Sequence, residues 1–143
     1  MAANKKPRKK RKYTPLPALP IVFRHSDADE TALQLAPHIS LTNFRMGMAT
    51  EPDWHTIAAR LNVGSVAAHR NEQAEAYFTI EKSLDAIRAI RSRAERSGKW
   101  GITGDELKII GESLVLTDEL QKAITRREMA AVIDYVYQTA GVV

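Results

Sequence analysis

Tyr77, Ile80, Leu84, Ile87 and Ala94 recur at steps of three, four, three and seven, with Ile90 beside them. That spacing lines one face of an α-helix over about five turns. A helix with a single apolar stripe must lay it against other helices, and the chain supplies candidates. Strand-like alternation is almost absent. A weak helix is predicted over 29–35, followed by a short one that begins at Pro37, whose fixed φ suits a first turn, and ends at Gly47. The short helix presents Ile39, Leu41 and Phe44.

Thr50-Glu51-Pro52-Asp53 is a stronger start signal, with a capping threonine, a proline in the first turn and a carboxylate suited to the helix dipole. Trp54, Ile57, Ala58 and Leu61 then share a face, and Gly64-Ser65 marks a break or kink. The long striped helix runs from about Asn71 to Ser97-Gly98. Thr103 and Glu106 form a capping box for the next helix, whose buried face is Leu107, Ile110 and Leu114. Thr117-Asp118-Glu119 reads as a restart, with Leu120, Ala123 and Ile124 inward. Thr125 and Glu128 repeat the box spacing, so the last segment either breaks there or runs through to Gln138, burying Met129, Val132, Ile133 and Val136. The expected fold is all-α, a compact bundle of about four to six helices.

Charge is segregated along the chain. Seven of the eight residues from Lys5 to Lys12 are basic: Lys5, Lys6, Arg8, Lys9, Lys10, Arg11 and Lys12. Removing them from the 21 Lys and Arg leaves 14 positive residues against 17 acidic ones. The overall pI near 9.5 therefore belongs to an arm and not to a body. Mutual repulsion, together with Pro7, Pro15, Pro17 and Pro20, predicts an extended, disordered arm over 1–22 and a helical domain over 23–143.

Such an arm gains affinity for a polyanion by releasing the counterions condensed on its phosphates, which needs charge density but no fold. Tyr13 adds a ring able to stack on a base. Three other uses fit the same run: a solubilising end, adhesion to anionic lipid, and a localisation signal of the Pro7-to-Lys12 type. A signal peptide is excluded, because Thr14-Pro15-Leu16-Pro17 stands where an apolar core would be needed. With 143 residues and no cysteine, a single domain is expected, without disulfides, thiolate chemistry or cysteine-held metal. The lack of cysteine fits a cytoplasmic protein, and since no apolar stretch approaches the roughly twenty residues of a membrane span, a soluble protein that does not enter a membrane is expected.

Catalytic and metal chemistry finds little support. His25, His38, His55 and His69 make no pair at i, i+4 spacing. Glu81 and Asp85 are placed to face Arg88, and Asp118 with Glu119 suits a first helical turn. Gly98, Gly101 and Gly104 follow no strand, so they read as a turn and not as a phosphate loop. No catalytic residue, cofactor or metal is therefore expected. Arg91 falls inside the apolar stripe of Leu84, Ile87 and Ala94, either snorkelling or marking an interface; Arg88, Arg91 and Trp100 are the candidate interface residues. Arg126 and Arg127, beside a capping Thr125, are candidate phosphate contacts at the start of the last helix, as in a helix-turn-helix.

The order and spacing of Asp53-Trp54, Asn62-Val63-Gly64, Gly98-Lys99-Trp100-Gly101, Thr103-Gly104-Asp105-Glu106-Leu107 and Thr125-Arg126-Arg127-Glu128 resembles that of small helical proteins carried by phages, prophages and plasmids of proteobacteria. Many of those begin with a short basic arm, and some are labelled transcriptional regulators. The resemblance implies a shared helical fold and a mobile-element setting in a bacterial host cell; it carries over no catalytic residue. The resulting expectation is a non-enzymatic binding protein that touches DNA or RNA backbone and can dimerise through the long helix. The alternative is a protein-interaction module, such as a phage-encoded inhibitor of a host protein or a virion component.

Overall fold

The computed structural model describes the backbone over residues 27–124 and 126–140, with side chains from residue 34. The arm from Lys5 to Lys12 and the boundary at residue 22 lie outside these residues, as does Thr125. The chain divides between Leu33 and Gln34, and the packing described here is that of the second unit. Five helices make up the described residues, with no strand: α1 (Asp27–Arg45), α2 (Glu51–Arg70), α3 (Ala74–Ser97), α4 (Gly104–Ala123) and α5 (Arg126–Ala140). The protein is an all-α bundle.

Helix α2 lies at the centre. It packs against α3, α4 and α5, and α3 also packs against α4. The anticipated stripe of α3 is consumed inside this arrangement: Ile80, Leu84, Ile87, Ile90 and Ala94 are buried together with Ile57 and Leu61 of α2 and Ile110 and Leu114 of α4. Each fully buried Ile or Leu contributes about 1.5–3 kcal/mol relative to exposure. Met129, Val132, Ile133 and Val136 of α5 close the core as their spacing predicts.

Both capping boxes are present, at Thr50/Asp53 and Thr103/Glu106. Helix α3 ends at Gly98, whose left-handed φ of 75° lets its N–H return to the Ala94 carbonyl at 2.7 Å. The α2–α3 turn places Glu72 at φ 57° and is secured by Gln73 N–H donating to the Ala68 carbonyl at 2.8 Å.

Four expectations are corrected. Pro37 does not start a helix; it sits inside α1, which is continuous through both predicted segments. The ring is buried along with Ser40 and Phe44, whereas Ile39 is 58% exposed, so burial on that face offsets the lost N–H. Gly64 does not break α2, because its missing side chain makes room for α4: a methyl there would overlap the Thr117 hydroxyl and lie 3.1 Å from Thr117 Cβ. Thr117 does not restart a helix either. It is fully buried mid-helix and donates its hydroxyl to the Ser113 carbonyl at 2.9 Å. Ala123 is exposed, since α4 ends there and Ile124 is extended at φ −112°, ψ 157°. The last segment is thus broken before Arg126.

Candidate functional site

Two aromatic residues meet where the start of α2 passes the end of α3. The half-buried Trp54 donates its indole N–H to the Ile87 carbonyl at 2.9 Å. The guanidinium of Arg91 lies 4.8 Å from its ring centroid, Trp100 is 6.1 Å away at a 45° tilt, and His55 meets it edge-on at 5.1 Å. Sequence pattern placed Arg91 within an apolar stripe; the structure shows why it is tolerated there. Its side chain is 42% exposed, stacks on Trp54 and bonds Glu95 at 3.3 Å, so the charge reaches water while the stem covers apolar surface.

Beside this cluster a groove of about 830 Å³ opens over α2 between α3 and α5. Its floor and walls are Trp54, Ala58, Ala59, Leu84, Ile87 and Val136. Arg88, Arg91 and Glu95 line the α3 lip, and Tyr137 lines the α5 lip. Arg88 is mostly exposed and pairs with Asp85 at 2.7 Å. The structure therefore brings Arg88, Arg91 and, through Trp54, Trp100 into one neighbourhood. Arg126 and Arg127 stand apart from it, exposed at the start of α5. Helix α5 packs on α2 and not on α4, so α4 and α5 are not the packed pair of a helix-turn-helix.

No family model, curated protein or solved structure matches this chain. The site accordingly rests on its own chemistry. Among the described residues no group of three His, Asp or Glu is placed to hold a metal, and no helix is long and apolar enough to cross a membrane.

Sequence reasoning missed four polar links. Arg93 chelates Glu106 with both Nη atoms, at 2.9 and 2.5 Å, and also donates to the Gly101 carbonyl at 3.1 Å. Burial alone would raise the Glu106 carboxyl, but the bonds from Arg93 and from the Thr103 N–H overrule it and hold the group below its ordinary value, while Glu106 raises Arg93. His38 Nε2 and Asp118 Oδ2 lie 2.7 Å apart, joining α1 to α4. The half-buried Arg60 of α2 supplies charge to the same carboxylate and donates to Gln121. Asp118 therefore belongs to a helix junction and not to a first turn. Glu81 likewise accepts from Ser65 at 2.6 Å instead of facing Arg88.

Proposed function

We propose that the chain is a non-enzymatic nucleic-acid-binding accessory or regulatory protein of a mobile element, whose arm from Lys5 to Lys12 contacts the phosphate backbone. The observation that carries this reading is charge segregation: seven cations in eight residues precede a remainder with three more acids than bases. Arg126 and Arg127, exposed together at the start of α5, are the residues of the bundle assigned to assist. Contacts of this kind position a protein on phosphates without specifying base sequence.

The test is binding of the intact chain, and of a chain lacking residues 1–12, to duplex DNA, single-stranded DNA and RNA across a salt series. If all seven cations engage duplex DNA, log K falls with log salt at a slope of about −6, and deletion flattens it. An unchanged slope after deletion rejects the arm as the binding element. A second reading, a protein-interaction module such as an inhibitor of a host protein or a virion component, is supported by the groove over α2. Under it, function survives removal of the arm.

A further inference from the structure

We propose that the groove between α3 and α5 receives an acidic amphipathic helix of a partner protein. This goes beyond the nucleic-acid reading and involves a different surface. Helices α3 and α5 each pack extensively on α2, with no comparable packing between them, and the groove lies over α2 in the gap. There α2 presents Ala58 and Ala59. Side chains this small let a further helix approach the α2 axis closely, and Leu84, Ile87 and Val136 offer aliphatic walls to its apolar stripe. Among the described residues no strand edge is available for extension by an added strand, so a helix laid in the groove is the mode that fits.

The charge around the groove selects the partner's polar flanks. Residues 88–99 hold five cations, Arg88, Arg91, Arg93, Arg96 and Lys99, and one acid, Glu95. The rest of residues 34–140 holds eight cations and thirteen acids. The end of α3 is thus the basic exception among residues 34–140, and of its cations Arg88 and Arg91 line the groove, with Arg96 bonded to the groove-lining Ser92. Only Arg93 is committed, by its chelate to Glu106. Asp85 and Glu95, which pair with Arg88 and Arg91, are 78% and 68% exposed, and ion pairs so exposed exchange readily for a partner's carboxylates. Arg96 bonds only the Ser92 hydroxyl among the described residues. A nucleobase is the poorer occupant: the Trp54 ring is already covered by Arg91 and flanked by His55 and Trp100, which leaves Tyr137 on the α5 lip as the further ring, facing aliphatic Leu84, Ile87 and Val136.

The probe is a fluorescein-labelled peptide of about eighteen residues with leucines at i, i+3, i+4, i+7 spacing and glutamates on the flanks, compared with its lysine counterpart. Anisotropy is measured on the full-length chain at about 0.15 M salt. The glutamate peptide is expected to bind at least about tenfold more tightly than the lysine peptide, and Ala58→Glu and the double change Arg88→Glu with Arg96→Glu each to weaken it about tenfold. The double change alters only exposed side chains, so it keeps the test valid if Ala58→Glu unfolds by circular dichroism. The basic arm also favours the glutamate peptide over the lysine peptide, but its attraction is the same in every variant, so the losses in Ala58→Glu and in the double change are what assign binding to the groove. Equal affinity for both peptides, or affinity unchanged by the substitutions, overturns the proposal. A single-stranded oligonucleotide that displaces the peptide and itself fails to bind Ala58→Glu also overturns it, in favour of a nucleic-acid groove.

Discussion

At the residue scale, the tightest constraint in the molecule is the meeting of Gly64 and Thr117. Glycine inside a helix ordinarily costs about 1 kcal/mol relative to alanine, so Gly64→Ala would be stabilising on a free surface. Here the new methyl overlaps the Thr117 hydroxyl between two packed helices, and overpacking of this kind costs about 1–3 kcal/mol. Gly64→Ala is therefore expected to lower the urea midpoint. Adding Thr117→Ala, which removes the obstructing hydroxyl and methyl, should recover much of the loss. A double-mutant cycle reads this as a coupling of about 1 kcal/mol or more, and additive effects would show that the two positions do not meet. The sequence marks Gly64 as unusual but cannot say why. A glycine that interrupts a helix and one that admits a neighbouring helix look alike until the neighbour, 53 residues further along, is known.

At the scale of elements, what was legible is what is local. Capping boxes span four residues, the C-terminal glycine acts within one turn, and the α3 stripe repeats within one helix, so each could be read directly. Pairings between helices could not, because His38 and Asp118 are separated by 80 residues and Trp54 and Ile87 by 33. Arg93 and Glu106 show the two kinds together. Glu106 was identified as a capping residue, yet the same carboxylate also ties the last turns of α3 to the first turn of α4. Its depressed folded-state value makes the link pH-dependent. Above the ordinary glutamate value of 4.5 the stabilisation is fully present. Below it the unfolded chain takes up the proton first, so stability falls as acidification continues towards the folded value. Asp53 behaves likewise below its ordinary 3.8: burial would raise it, but bonds from the Thr50 N–H, Asn43 and Ser40 hold it down. Glu106→Gln is expected to cost about 2 kcal/mol at neutral pH, the range for a hydrogen bond to a charged group. It should also shrink, without abolishing, the loss of stability between pH 5 and pH 3, because Asp53 remains. Urea midpoints measured across that range decide it. An unaltered pH profile in the variant would show that Glu106 carries none of the acid sensitivity.

At the scale of the whole molecule, the helices are not equally secured. Helix α2 is covered by three others, α3 and α4 each rest on α2 and on one another, and α5 rests on α2. The free energy of local opening follows the apolar surface that must be exposed to reach it. Amide hydrogen exchange should accordingly be slowest in α2 around Ile57 and Leu61, both fully buried, and fastest, among α2 to α5, in α5. Its inward residues Met129, Val132, Ile133 and Val136 meet one supporting helix where those of α3 meet two. This ordering bears on the groove, because its far wall belongs to the least secured of these four helices: Val136 and Tyr137 line it from α5. An occupant that touches both walls ties α5 to α3 through itself, and it must slow exchange in α5 more than in α2, where little opening remains to be suppressed. Exchange followed by mass spectrometry, with and without saturating glutamate peptide, separates this bridging from attraction to the arm. Slowing concentrated over residues 129–137 is the expected outcome, and exchange in α5 unchanged by the peptide would mean that the occupant does not span the groove.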